Sequence, residues 1–492
     1  MQNKKPSVVL NYFMNTLLTM SSFIFPFITF PYVSRVLGVE GNGKVQLAIS
    51  FIYYFTMFAQ LGIPTYGIKA CAAVRENRKE LSKTVHELLI INIMMTAIAY
   101  VAFFVALAAV PRLRDERLLY IISSASIFLT TIGIEWLFRA LEQYTYITIR
   151  SLIFKVVGIV AMFALVHTKE DYVIYAAISV LASAGSALLN LTQLPRYIDI
   201  KPVGDYHVWK HIKPVVVLFA YSCATTIYIN LDSVMLGFMR TEVDVGYYAV
   251  AVKLKNILVS IVTALGAVLL PRVSFYYNQG QMKDFWETIK KSLHVIVLIA
   301  APFTLYCMLM AGPAIRFLAG DGYALSVMPM VWIMPTLLFI GMTYVMGIEV
   351  LIPMGKETLV LIASAAAAVA DVIINALLIP SLGATGAAIG TLVAEALVFI
   401  IQYIMLRKQI LPVFMSIKWI LPCIALGAAS IITVPLMNVQ LPDFWLLAVT
   451  SVAFFGVYGL TLLAVKDPMT ILLWNKIRNI GLKLLKKDTN NI

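Results

Sequence analysis

Three oxygen-bearing side chains recur at matched depth in a very apolar sequence, and two more lie one helical turn deeper. Asp232 stands in "IYINLDSVMLGF" (residues 227–238), inside an apolar run that begins near Val215 and holds no other charged group before Arg240. Asp371 and Asn375 are one helical turn apart, and so are Thr391 and Glu395. Around the hairpin sequence "PSLGATG", centred near Gly383, Asn375 lies eight residues before the centre and Thr391 eight after it; Asp232 lies eight before Arg240. At about 1.5 Å of rise per residue, each is roughly 12 Å below the outer end of its helix, with Asp371 and Glu395 one turn deeper. Oxygen donors gathered at one depth can surround a hard cation such as Na⁺ or trap a proton. They can also hydrogen-bond one another and hold helices together. An unpaired carboxylate in hydrocarbon costs several kcal/mol and tends to take a proton. The first use is the expectation here: an ion bound by Asp232, Asp371, Asn375 and Thr391, with Glu395 in reserve.

The second chemistry is cationic. Arg35, Arg139, Arg150, Lys155 and Lys253 lie within or at the ends of apolar segments, where ionisable groups usually face a bundle interior or a hydrated cavity. Basic side chains there can replace the hydration of a phosphate-like anion. Plainer roles compete. Glu135 and Arg139 are spaced i,i+4 and can pair locally. Arg150 and Lys155 lie near an inner end and can snorkel to the interface. Trp136 and Tyr144 are expected as interfacial anchors. The four cysteines are far apart and form no CxxC, the five histidines lack metal-ligand spacing, and no Walker loop, GxGxxG or GxSxG stands in a usable context. No cofactor is expected beyond Na⁺ or H⁺ as a coupling ion, and no enzymatic domain fits.

What must position these groups is a membrane bundle. The 492 residues are 61% hydrophobic and 13% charged, against about 25% charged in a soluble protein. About fourteen segments reach the length of roughly 20 apolar residues that a bilayer requires; they include 11–36, 43–66, 214–239, 325–352 and 414–436. The first is too long for a signal peptide and lacks a clear cleavage site, and Pro26 and Pro31 are expected to kink it. The net charge of +13 is distributed by side. With the N-terminus inside, 27 Lys and Arg fall on the inner side, eight on the outer side and three within helices, which sets both termini in the cytoplasm and argues against nucleic acid. The tail "KIRNIGLKLLKK" is most simply a segment near anionic lipid.

The polar stretch 195–213 follows six helices and divides the chain. A weak repeat straddles it: "SRVLGVEGNGKVQLAI" from Ser34 and "SVMLGFMRTEVDVGYYAV" from Ser233. A parallel repeat would place substrate between the halves. The expected divisions are 1–194, a linker at 195–213, 214–411, two further helices over 412–466, and a basic tail over 467–492.

"PYVSRVLGVEGNGK", "LGIPTYGIKACA", "IEWLFRALEQYTYITIRS", "LDSVMLGFMRTEVDVGYYAVAVKL" and "NALLIPSLGATGAAIGTLVAE" resemble the Wzx-type polysaccharide repeat-unit flippases of the multidrug/oligosaccharidyl-lipid/polysaccharide (MOP) exporter superfamily, in order and over nearly the whole chain. The resemblance implies an all-α integral membrane protein with two six-helix lobes in a V plus two C-terminal helices, in a bacterial inner membrane. It implies a cationic cavity, ion-driven alternating access and an undecaprenyl-diphosphate-linked oligosaccharide as substrate, with membrane lipids and other polysaccharide assembly proteins as partners. Related lipid flippases bind a cation on helices seven, eleven and twelve, positions that Asp232, Asp371, Asn375 and Thr391 match. The order of Asp and Asn on helix eleven is exchanged here, and Ser233 stands where many relatives have Lys. Arg35 and Lys253 match positions where the family keeps cations near the cavity. A multidrug exporter would instead favour an acidic, aromatic cavity. A sugar polymerase or ligase would need larger outer loops, and a non-transporting scaffold would have little use for intramembrane charge.

Overall fold

The computed structural model describes residues 8–226, 230–472 and 474–475. The basic tail from Lys476 onward lies outside them. Every regular element among the described residues is helical, as hydrocarbon demands, because a helix satisfies its own backbone groups. Lipid takes the place of a polar exterior: Ile98, Val101 and Val105 on the helix Arg78–Ala109 are all more than half exposed.

Ten helices among the described residues are long and apolar enough to cross a membrane, or eleven if the bent pair Asp321–Ile333 and Thr336–Leu351 is one span. The fourteen segments expected from sequence depart from this count at four places. The first two are joined in one helical run, Phe13–Val74, of 62 residues. At about 1.5 Å per residue such a run is roughly three bilayers long, and its backbone leaves helical dihedrals at Gly38 (φ 67°, ψ −173°). Pro26 and Pro31 lie inside the helix Val8–Gln60, and the break in its dihedrals falls at the glycine. Only a residue without Cβ adopts that φ easily. The seventh segment is described as two helices, Trp209–Thr226 and Leu231–Met239. The tenth is bent by 41°, and the thirteenth, Ile420–Leu436, has 17 residues.

The chain divides into two compact units, residues 1–249 and 250–492. Among the apolar clusters of the first, two are large. One gathers Val85, Leu88 and Ile91 with Trp136 and Leu137; the other gathers Val45, Ile52, Phe103 and Ile127. In the second, small residues set the spacing: Ala363 and Ala367 pack with Ala394 and Val398.

The two repeat-related segments meet within the first unit. A Cβ on Gly43 would overlap the Glu242 carbonyl, and one on Gly246 would overlap the Val39 carbonyl. The obstacles are backbone, which cannot rotate aside. Overpacking of this kind costs about 1–3 kcal/mol, so Gly43→Ala is expected to lower the melting temperature of the purified protein by several degrees. An unchanged melting curve would show that these helices do not touch at Gly43.

Candidate functional site

The basic residues are organised round one carboxylate. Glu135 opens the short helix Glu135–Ala140, and Arg139, one turn later, donates to its Oε1 from Nε (3.0 Å) and Nη2 (2.7 Å). Arg150, on the helix Tyr144–Leu165, reaches the other oxygen, with Nη2 3.0 Å from Glu135 Oε2. Its Nη1 donates to the Ser186 carbonyl (2.8 Å) and to Ser186 Oγ (3.0 Å), and the guanidinium sits 5.7 Å from the Tyr146 ring centroid. The local Glu135–Arg139 pair expected from spacing exists, but it is half of a three-membered cluster. Arg150 does not snorkel. It is 3% exposed, and its Nε is buried without a hydrogen-bond partner.

The cluster opens on a cavity of about 360 Å³ whose polar lining includes Gln60, Thr65, Thr130, Ser183 and Asn190. The helix Tyr172–Val180 passes into a π-helical turn, Leu181–Gly185, directly before Ser186, and such turns often re-aim side chains at functional sites. Asn190 Nδ2 donates to the Gly133 carbonyl. Trp136 lines this cavity and is 5% exposed, its ring so close to Gly67 that a Cβ there would lie 2.6 Å from it. The expectation of an interfacial tryptophan is therefore corrected: the break at Ile134 (φ 44°) turns the start of the helix Glu135–Ala140 inward.

The remaining basic candidates stand elsewhere. Lys155 Nζ donates to Ser21 Oγ (2.7 Å) and Ser22 Oγ (3.0 Å) of the first helix. Arg35 Nη1 donates to the Pro31 carbonyl at 2.6 Å. Arg35 belongs to the first unit and Lys253 to the second.

The oxygen-bearing candidates divide in the same way. Asp232, in the first unit, is 3% exposed in the first turn of its helix and accepts a hydrogen bond from the Tyr248 hydroxyl. Asp371 and Asn375 on the helix Glu357–Leu382, and Thr391 and Glu395 on the helix Ala384–Met415, lie in the second unit with exposures of 0, 0, 4 and 7%. The hairpin is packed backbone to backbone. A Cβ on Gly386 would lie 2.6 Å from the Leu378 carbonyl; one on Gly390 would overlap Asn375 Oδ1 and lie 3.2 Å from Asp371 Oδ1. Gly386 and Gly390 form a GxxxG step, which lets membrane helices approach closely and draws Asp371 and Asn375 into the interface. The donor set of carboxylate, amide and hydroxyl suits a hard monovalent cation or a proton. Among the described residues, no three His, Cys, Asp or Glu side chains are grouped to hold a metal ion.

The polysaccharide biosynthesis protein family matches residues 8–276, more than half of the chain. The chain belongs to this family. Members so identified are membrane transport proteins, as the Wzx-type resemblance implied. Among relatives, the "Putative O-antigen transporter" of Escherichia coli (strain K12) is 23% identical over 334 residues, 68% of this chain and 80% of that protein. Of solved structures, the lipid II flippase MurJ in an inward closed conformation superposes with a TM-score of 0.72 at 13% identity, over 92% of this chain and 98% of that one. An inward-facing MATE family multidrug resistance transporter of the MOP superfamily gives 0.62 at 15%, over 81% and 95%. The fold is thus the MOP fold.

One buried acid of this family member escaped the sequence reading. Glu87 lies at the start of the third apolar segment, beside basic residues that made its surroundings look like solvent. It is 0% exposed and accepts from the His207 amide (2.7 Å), His211 Nε2 (2.8 Å) and Lys210 Nζ (2.8 Å). His211 Nδ1 lies 2.9 Å from the Tyr66 hydroxyl, and Arg78 holds Asp199 (2.8 Å) and the Ile198 carbonyl (3.0 Å). The polar stretch 195–213 is thereby clamped to the first unit. Removing a buried acceptor costs about 1.5–3 kcal/mol per charged hydrogen bond, less for the half-exposed Lys210. Glu87→Ala is expected to raise proteolytic cleavage between Leu194 and Lys213 on the order of 30-fold, at about 1.4 kcal/mol per tenfold. Cleavage at the wild-type rate would remove Glu87 as the clamp.

Proposed function

We propose that this protein moves a polyprenyl-diphosphate-linked oligosaccharide from the inner to the outer leaflet of a bacterial cytoplasmic membrane, by ion-coupled alternating access. The observation that carries the proposal is the Arg150–Glu135–Arg139 cluster, with Arg150 buried, on a polar cavity, in a chain of the polysaccharide biosynthesis family. Two guanidiniums oppose one carboxylate, so the cavity bears net positive charge and suits a diphosphate. A multidrug exporter of cations would need the opposite sign, and the likeness to a MATE transporter bears on fold alone. Guanidinium forks bind phosphate oxygens bidentately. The diphosphate would enter at Arg139, Arg150 and Lys155 and be held at Arg35 and Lys253, while the polyprenyl tail stays in lipid and undecaprenyl diphosphate is the carrier.

In this scheme fourteen helices cross the membrane, six over residues 1–194, six over 214–411 and two over 412–466, with both termini cytoplasmic. Asp232, Asp371, Asn375 and Thr391 would hold Na⁺ or H⁺, supplying the energy of an ion gradient. Depletion followed by mass spectrometry of lipid-linked sugars tests the proposal. One lipid-linked repeat unit should accumulate and disappear on re-expression. An unchanged lipid-linked pool would overturn it.

A further inference from the structure

A second buried acid stands apart from both sites. Glu349 lies in a π-helical segment, Val345–Leu351, five residues before the turn at Met354. It is 0% exposed, and so is Ser292 on the helix Met282–Leu309, which donates from Oγ to Glu349 Oε1 at 3.0 Å. The second oxygen, Oε2, is buried with no hydrogen-bond partner. Beside it in the chain, a Cβ on Gly347 would lie 3.2 Å from Nε2 of Gln402. Gln402 is 2% exposed, and its Oε1 is also buried without a partner. Two buried acceptor oxygens without donors are what a well-packed interior avoids. A proton on Glu349 Oε2 would turn that unpartnered acceptor into a neutral carboxyl with a donor of its own.

We infer that Glu349, with Ser292, forms a proton-binding site in the second unit, separate from the carboxylates of the 357–415 hairpin. Uptake forms an O–H bond at Oε2 with a proton from water; release breaks that bond, returns the proton to water and leaves a carboxylate still held by Ser292. Glu349 sits in a π-helical turn, and such turns are frequent at functional sites.

Charged groups stand on each of the surrounding helices. On the helix bearing Ser292, Lys291 pairs with Glu287 at 2.6 Å, and His294 Nε2 lies 3.0 Å from Asp467 Oδ1; Lys283 and Lys290 are the remaining cations there. Asp371 and Glu395 are the buried acids of the two hairpin helices. Tyr344 directly precedes the π segment, five residues before Glu349. The site lies at the end of the second unit that carries Lys290, Lys291, Arg407 and Lys408, which the positive-inside rule assigns to the cytoplasm.

The inference needs no transport assay for its test, so its failure is distinct from failure of the proposed flippase function. Infrared difference spectra of the purified full-length protein between low and high pH should contain a neutral-carboxyl C=O band that Glu349→Gln removes. Ser292→Ala, which takes away the one donor, should move the midpoint of that band. Identical spectra in wild type and in well-folded Glu349→Gln would overturn the site, with a buried water serving Oε2 instead. A midpoint unmoved by Ser292→Ala would equally overturn it. If Glu349→Gln does not fold, the Ser292→Ala midpoint alone decides.

Discussion

Glycan export is expected to fall to about one hundredth of the wild-type rate or less in Arg150→Ala, and to recover only in part in Arg150→Lys. Arg150 makes three polar contacts in a fixed fork, to both Ser186 oxygens and to Glu135 Oε2. A lysine is a point charge on a flexible stem and cannot reproduce that fork. Two charge-assisted hydrogen bonds to a diphosphate are together worth about 3–6 kcal/mol, and about 1.4 kcal/mol is a factor of ten. The fold should survive, because Glu135 keeps Arg139 and is 41% exposed by side chain, where ion pairs contribute about 1 kcal/mol or less. Export and melting temperature must therefore be read together at matched expression. Glu135→Gln supplies the opposite sign: it removes the carboxylate that competes for both guanidiniums, so the lipid-linked donor should be retained longer and exported more slowly. Wild-type export by Arg150→Ala would mean that the cluster is structural and that the anion is handled elsewhere, with Arg35 and Lys253 as the residues to test.

The legible part of this protein is what hydropathy and helical spacing encode. Long apolar segments can only be helices in lipid, and the i,i+4 relation of Glu135 to Arg139 foretold their pair. What spacing cannot encode is the third partner. Arg150 finds Glu135 because Ile134 breaks one helix and the Leu181–Gly185 turn presents Ser186 from another. Nor does sequence position distinguish an acid in a loop from one drawn inside. Glu87 and Glu349 each stand near a segment end and are nevertheless fully buried. The glycine of the first helix was overlooked for a related reason. Proline disfavours a helix by removing one donor, whereas Gly38 permits a φ that a helix cannot contain. The matched depth of Asn375 and Thr391 did anticipate a shared interface, and the signal that closes it, glycines at 386 and 390, was present in the same quoted sequence.

Those glycines bear on the last prediction. Asp371→Asn should leave the protein well folded and abolish any dependence of export on Na⁺ or pH. The substitution keeps the side-chain shape and removes the charge that an ion would neutralise. Asp371 is fully buried and aimed at Gly390, so its charge lies inside a helix interface, where a carboxylate costs several kcal/mol unless it is partnered. An ion bound there removes that cost in one state of the transport cycle and not in the other. That difference is what couples occupancy to conformation, and couplings of about 1–3 kcal/mol change rates by roughly 5- to 150-fold. Gly390→Ala separates geometry from charge, since its methyl would overlap Asn375 Oδ1. It should part the hairpin, lowering the melting temperature as well as the ion response, whereas Asp371→Asn lowers the response alone. Asp232→Asn, whose carboxylate is held by Tyr248, tests whether the helix Leu231–Met239 contributes to the same ion. The measurement is export across a Na⁺ series at fixed pH and a pH series at fixed Na⁺. Gradients in Asp371→Asn that parallel the wild type would sink the ion site and leave the hairpin carboxylates as hydrogen-bonded joints between helices.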